Sequence, residues 1–385
     1  MKFEEIVEEI DKHLGCTRQN WLFGAGISYE SNIPLMFPLT RRVEKLVKEN
    51  NTDYEEMYDL FKQDLPVSYH IEHLLSHLVD YMAICKRSVK NKINLGAKVY
   101  GEDILKEFYE EIISAIAITV RYGYVEERDM TPEKIGKLGE PIVILDHHDR
   151  FIKALFSNRA NMINRSEVNI FTTNYDTLLE DALAINKKSY VDGFSNGGIG
   201  CWDIENGFDR KSRSNAVLIC KLHGSIDWYV SKESGLLRTR YGTKYLSGMS
   251  STLIYPQATK YVETQKDPFA SLFTLFRNTL QRKQDNILVA CGYSFGDDHV
   301  NNEIEIALSD AWNKSVLIAF IKEDQEGNTA SCLDRWLKEE YGSRVFVLTD
   351  TGVYNSHTKY TPEGERELDW WTFIGMTKFL EEGEI

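Results

Sequence analysis

Trp21-Leu22-Phe23-Gly24-Ala25-Gly26-Ile27-Ser28 decides the fold. A short apolar run suits a strand buried on both faces, and this one stops at two glycines one residue apart. Glycines at that place let the backbone approach a diphosphate and aim N–H groups at it; they equally suit a plain tight turn from strand to helix. The dinucleotide fingerprint asks for a third glycine where Tyr29 stands. Asn32-Ile33-Pro34 and Phe37-Pro38 follow and suit a loop over a ligand, and Leu39 to about Asn50 has the spacing of a helix.

Outward from this turn, the same pattern returns three times. Val168-Asn169-Ile170-Phe171-Thr172 is β-branched and apolar and ends at Thr173-Asn174-Tyr175-Asp176, with a helix expected over 177–184. Ala216 to Leu222 ends at His223-Gly224-Ser225, and Asn286 to Cys291 ends at Gly292-Tyr293-Ser294-Phe295-Gly296-Asp297-Asp298. Ser315–Ile321 and Val345–Leu348 read as the last strands, Leu253-Ile254-Tyr255-Pro256 as a short one, and 270–280 as a helix. Apolar strands separated by helices predict an α/β fold, a Rossmann-like parallel sheet covered by helices on both faces. Each motif then falls at the carboxyl edge of the sheet, where such folds bind ligands.

Residues 51–159 differ: charged, helical in period and poor in strands. Ile71, Leu74, Leu75, Leu78 and Val79 form one apolar stripe; Ile104, Phe108, Ile112, Ile113, Ile116 and Ile118 form another. The expected organisation is a Rossmann-like domain from 1–50 and 160–385, with 51–159 as a helical insertion. Phe3, Ile6, Ile10 and Leu14 open the chain as an amphipathic helix, which argues against a signal peptide.

Composition narrows the function. The 385 residues are 42% hydrophobic and 27% charged, with net charge −14. That balance is ordinary for a globular protein and disfavours sequence-independent binding to a phosphate backbone. No apolar run has the length of a membrane span, and six cysteines without a Cys-x-x-Cys pair suit a reduced, cytoplasmic setting. Lys86 to Lys92 reads as a solvated helix face, His147-His148 as a charged surface segment, and the glycine-rich 192–200 as a mobile surface loop. His70, His73 and His77 repeat at helical spacing with no cysteine near.

The motif residues have chemistry suited to a nucleotide. Asn174 carries a donor and an acceptor and can hold a ribose hydroxyl or a water. Asn-x-Asp after a strand also suits a helix cap. A neutral imidazole at His223 can take a proton near pH 7, although a histidine closing a buried strand is often structural. Gly292 and Ser294 suit contact with phosphate or ribose. Asp297 and Asp298 suit the cap of a helix over 301–307; with His299 they also suggest a metal, but no complementary ligand cluster is visible.

Taken in order, Gly-Ala-Gly-Ile-Ser with Ile-Pro, Thr-Asn-Tyr-Asp, Leu-His-Gly-Ser and Gly-Tyr-Ser-Phe-Gly-Asp-Asp resemble the Sir2-like domains of bacterial anti-phage defence proteins, over about residues 18–325. The layout is similar to the Sir2 subunit that works beside a HerA-type hexameric ATPase. The resemblance implies NAD+ as substrate, hydrolysed to nicotinamide and ADP-ribose. Asn174 would orient the water or a ribose hydroxyl, and His223 would act as base. Gly24, Ala25, Gly26 and Ser28 would hold the diphosphate; Asp176, Gly292 and Ser294 would support the adenosine ribose and phosphate; Pro34, Thr173 and Phe295 complete the cofactor-binding set. Sirtuin deacylases have Gly-Ile-Pro-Asp-Phe-Arg after the glycine turn, whereas this chain has Asn32-Ile33-Pro34-Leu35-Met36-Phe37. No cysteine lies between Cys220 and Cys291, so the four-cysteine zinc ribbon of the deacylases has no ligands there, and no metal is expected. A non-catalytic sensor of NAD or ADP-ribose, and less readily a protein deacylase, are the other readings. The stretch after Val300 holds the last strands and leaves little space for a further sensor domain, so control by self-assembly or by a HerA-type partner is expected.

Overall fold

The structure, a computed structural model, describes residues 2–383 except 17, 129–130, 158–166, 211–215, 232, 241, 243–248, 255–266, 282–285 and 365–367. Helix α1 (Phe3–Leu14) leads into strand β1 (Arg18–Phe23), whose last five residues are buried, and then into the glycine turn, a short 3-10 segment over Ala25–Ser28. Four helices follow: α2 (Met36–Asn50), α3 (Thr52–Gln63), α4 (Ile71–Arg87) and α5 (Glu102–Tyr122). Between α4 and α5 runs a hairpin, β2 (Lys92–Leu95) with β3 (Lys98–Gly101); after α5 come the two-residue strands β4 (Tyr124–Val125) and β5 (Lys134–Ile135). Helix α6 (Asp146–Leu155) returns the chain to β6 (Glu167–Thr172) and α7 (Leu178–Ile185).

Seven strands come next: β7 (Tyr190–Val191), β8 (Phe194–Ser195), β9 (Ile199–Trp202), β10 (Val217–Lys221), β11 (Gly224–Ser231), β12 (Gly235–Thr239) and β13 (Met249–Ile254). The chain ends with α8 (Phe269–Leu280), β14 (Asn286–Cys291), α9 (Asp298–Ser309), β15 (Val316–Phe320), α10 (Ser331–Trp336), β16 (Val345–Thr349), β17 (Gly352–Asn355), β18 (Thr358–Tyr360) and α11 (Phe373–Glu382).

The main sheet has the order β18-β17-β16-β15-β14-β1-β6-β10-β7. It is parallel from β16 to β7, and β17 and β18 add an antiparallel edge. From β1 the chain builds outward through β6 and β10, then crosses back to build β14, β15 and β16 on the other side. The order therefore reverses between β1 and β14, the kind of crevice where α/β sheets bind ligands. One face is covered by α1, α6, α7 and α11, where Trp21 and Phe23 meet Phe151 edge-on at 5.2 and 5.3 Å. The other is covered by α8, α9 and α10, around Phe276, Ile304 and Trp336. The expected doubly covered parallel sheet is thus what forms.

A third apolar cluster belongs to the helices. Val43 and Val47 of α2, Phe61 of α3, Leu74 and Leu78 of α4, and Phe108, Ile112 and Ile116 of α5 pack together with Tyr175, Leu178 and Ile226. Ile104 and Ile118, expected in this stripe, are 44% and 46% exposed. Ile118 lies two residues, about 200° of helix, beyond the buried Ile116, so it faces the opposite side.

Several sequence expectations are corrected. Residues 192–200 are not a plain loop: β8 and β9 lie there and join β12, β11 and β13 in a second, antiparallel sheet. Helix α4 stops at Arg87, so Lys90 and Lys92 lie on a turn and a strand rather than on a helix face. His148 is fully buried, not a surface residue. Tyr255 and Pro256 lie outside the described residues. No described helix is long and apolar enough to cross a membrane.

Candidate functional site

The site begins where β1 meets β14. Gly292 has φ 63°, and the two loops touch backbone to backbone. A Cβ on Gly24 would lie 2.5 Å from the Gly292 carbonyl oxygen, and one on Gly26 would lie 2.6 Å from the Gly292 Cα. Gly26 N–H donates to the Gly292 carbonyl at 2.9 Å, and Gly24 N–H to the Cys291 carbonyl at 3.3 Å. The glycines are needed first for this close approach. Their N–H groups are engaged across the crevice, which leaves exposed Ala25, at the crest of the turn, to face a ligand.

The second loop follows β6. Thr172 Oγ1 accepts from Asn174 N–H at 3.0 Å, which holds the turn as the strand ends. Asn174 Nδ2 donates to Ser28 Oγ at 3.1 Å, and Ser28 Oγ donates to Asp176 Oδ2 at 2.8 Å. Asp176 Oδ1 accepts from Leu178 N–H at 3.0 Å at the start of α7. Asp176 thus divides its carboxylate: one oxygen takes the first N–H of α7, whose N-cap is Thr177, and the other fixes Ser28 and through it Asn174. With its amide nitrogen fixed in this way, Asn174 turns its Oδ1 to a place where it is buried and has no hydrogen-bond partner. A buried acceptor left open costs about 1–3 kcal/mol, which a ligand hydroxyl or a water would recover.

The third loop links β10 to β11. Gly224, at φ 86°, makes the turn that brings His223 to the sheet edge. His223 Nε2 lies 2.7 Å from Asp297 Oδ2, and both side chains are about 5% exposed. Asp297 is also the N-cap of α9, its Oδ1 accepting from His299 N–H at 3.0 Å. A carboxylate accepts, so the Nε2 proton sits between them and Nδ1 is the basic nitrogen. The sequence suggested the cap but gave no sign that Asp297 orients His223. Another residue it did not single out is Lys221, 3% exposed, whose ammonium donates to the Asp176 carbonyl and stands 3.4 Å from Glu180. Burial pushes the Glu180 carboxyl up, against the pull of Lys221.

These loops line one cavity of about 1020 Å³. That is at the upper end of small-molecule sites. Gly24, Ala25, Gly26, Ser28, Pro34, Thr173, Asn174, Asp176, His223, Gly292 and Ser294 all border it. Phe295 does not: at φ 57° its ring turns into the core, against Tyr293 at 4.9 Å and Trp336 at 6.1 Å. Asp176 stands with Asn174 and Ser28. The cavity also takes in residues that the sequence reading did not assign to the site, among them Glu30, His70, His73, Lys322 and Trp371. His70 and His73 stack at 3.7 Å, and Lys322 lies over the Trp371 ring at 4.7 Å. Burial raises the Glu30 carboxyl, and its Oε2 is a buried atom without a partner.

Strand order sets the order of the groups. His223 follows β10, Asn174 follows β6, the glycine turn follows β1, Gly292 follows β14 and Lys322 follows β15. At about 4.8 Å per strand, the four steps span roughly 19 Å. Among the described residues no group of three or more His, Cys, Asp or Glu is placed to hold a metal ion.

Residues 168–346 match the family model for the SIR2-like domain. This stretch is therefore similar to SIR2-like domains. It contains Asn174, His223, Gly292 and Asp297, while the glycine turn lies ahead of it. Two solved structures similar to the chain are Sir2 proteins. A Sir2 homolog–NAD complex has a TM-score of 0.38 and 12% identity, over 81% of this chain and 81% of that one. A Sir2 variant with deacetylated p53 peptide and 3′-O-acetyl ADP-ribose has a TM-score of 0.37 and 10% identity, over 100% of both chains. No curated protein matches the sequence.

Proposed function

We propose that the protein is an NAD+ glycohydrolase that cleaves NAD+ to nicotinamide and ADP-ribose. The observation that carries this reading is the open, buried Oδ1 of Asn174, set by Ser28 and Asp176 one strand away from the His223–Asp297 pair. A linear ligand with a diphosphate at its middle fits the order of the loops. The reacting ribose would lie over β6 and β10, the diphosphate over Ala25 and Gly292, and the second nucleoside toward β15 and Trp371.

In the reaction the nicotinamide leaves with the electron pair of its bond to the ribose, and a water oxygen bonds to the same anomeric carbon. Asn174 Oδ1 accepts a hydrogen from that water or from a ribose hydroxyl, which fixes the angle of approach. His223 takes the water's proton on Nδ1, and Asp297 stabilises the imidazolium that forms. Substrate and water give nicotinamide, ADP-ribose and one proton. With no cysteines between Cys220 and Cys291 to build a zinc ribbon, hydrolysis is favoured over lysine deacylation. Unchecked hydrolysis would empty a cell of NAD+. The proposal therefore includes control by a HerA-type ATPase or by self-assembly through the helical insertion, 51–159, in a setting of anti-phage defence.

The test is NAD+ turnover followed by liquid chromatography, with and without a co-purified ATPase. Wild type releases nicotinamide and ADP-ribose. Asn174→Ala and His223→Ala lower the rate by about a hundred-fold or more while still binding NAD+. Binding without turnover by wild type under every condition would replace this reading with a sensor.

A further inference from the structure

Tyr175 stands between Asn174 and Asp176, yet the chemistry above gives it no part. Its hydroxyl donates to Glu72 Oε1 at 2.6 Å, and Glu72 lies in the first turn of α4. Its carbonyl accepts from Ile226 N–H at 3.0 Å and from Ser225 Oγ at 3.2 Å. Ile226 is three residues beyond His223, and Arg121 of α5 donates to its carbonyl at 2.8 Å. Tyr175 is therefore the joint at which the Asn174 loop, the His223 loop and two helices of the third apolar cluster meet.

Glu72 is a costly residue for that joint. It is 5% exposed, Tyr175 is 8% exposed, and no described ion pair includes Glu72. A leucine would pack a helix against a tyrosine ring without the cost of burying a carboxylate. The helix N-terminus offsets part of that cost. What the carboxylate provides, and a leucine does not, is a short, charge-assisted bond of fixed direction to the phenol.

We propose that Glu72 is a positioning residue: through Tyr175 it holds the Asn174 loop at a fixed distance from the His223 loop, so that the helical layer sets the geometry of the reacting groups. The kinetic consequence rests on the hydrolase reading; the grip does not. Glu72→Leu and Tyr175→Phe each remove the bond. Glu72→Gln keeps an acceptor at the same place.

Two measurements test it. Amide hydrogen exchange over 173–178 reads the grip. Exchange there rises about ten-fold in Glu72→Leu and Tyr175→Phe, and stays near wild type in Glu72→Gln. Turnover reads the consequence. In the first two variants kcat falls roughly ten- to a hundred-fold with KM for NAD+ little changed, and Glu72→Gln recovers most of the rate. Unchanged exchange in Tyr175→Phe overturns the grip, and equal kcat losses in the Gln and Leu variants overturn the role of the bond. Wild type that releases no nicotinamide under any condition, with or without the co-purified ATPase, refutes the hydrolase, and the exchange data then still decide the grip. Should Glu72→Leu not fold, Tyr175→Phe, which removes a single oxygen, decides alone.

Discussion

Acid is expected to weaken the fold through His148. This residue lies in the first turn of α6, is 0% exposed, sits 3.3 Å from Ser31 Oγ through Nδ1 and packs on Phe373 at 4.9 Å. Burial drives its pKa from 6.5 down to about 4; His147 adds to the fall and Asp176 opposes it. Between those two values the unfolded chain binds a proton at this site and the folded chain does not. The contribution to stability is fully present above the unfolded pKa and is lost as pH falls through this window to the folded one. A gap of 6.5 − 4 at 1.36 kcal/mol per unit makes the loss about 3 kcal/mol. Other groups titrate in the same range, so the measurement is a difference. Urea unfolding at about pH 7 and about pH 4 is compared for wild type and His148→Asn, whose amide keeps a partner for Ser31. Wild type should lose about 3 kcal/mol more than the variant over that range. Equal losses would mean that water or relaxation reaches the imidazole, and the reasoning from burial would fail.

Two further predictions follow from the crevice. Gly292→Ala places a Cβ 2.4 Å from the Ile27 nitrogen at φ 63°, so it destabilises by at least about 1–2 kcal/mol from the left-handed backbone alone, read by thermal unfolding, and it weakens NAD+ binding. Asp297→Asn keeps the helix cap but gives His223 a neutral partner. Turnover should drop by about a hundred-fold at nearly unchanged stability, and a loss of stability without a kinetic effect would show that the pair is structural.

The sheet was legible because its strands are nearly continuous apolar runs, and the run over 286–291 coincides with β14 to the residue. Glycine turns and polar tips then place Asn174 and His223 correctly at the carboxyl edge without any knowledge of contacts. The small antiparallel sheet was obscured by glycines. Gly193, Gly197, Gly198 and Gly200 read as a loop, although β11, over Ser225 to Val230, is mostly apolar and was open to a strand reading. Pairings between distant segments left no local trace. Nothing near Asp297 announces His223, and Glu72 is a helix residue whose partner lies 103 positions away. His148 looked solvated because Asp146, His147 and Asp149 surround it in sequence, yet its helix rotates it alone into the core. The side-by-side asparagines of β1 and β6 were equally silent: Asn169 donates to Asn20 at 2.7 Å, and Asn20 to Asn286 at 2.6 Å.

The three-glycine contact at the crevice has a bearing on how such a site can diversify. Because Gly24, Gly26 and Gly292 meet without side chains, there is nothing between β1 and β14 to exchange for a larger or smaller group. The middle of the binding track works as a fixed hinge-pin. Variation in what the protein accepts must come from its two ends: Pro34 to Phe37 with the stacked His70 and His73 at the start of α4 on one side, and Ile321, Lys322 and Trp371 on the other. A library aimed at a new ligand would leave the pin untouched and randomise those flanks.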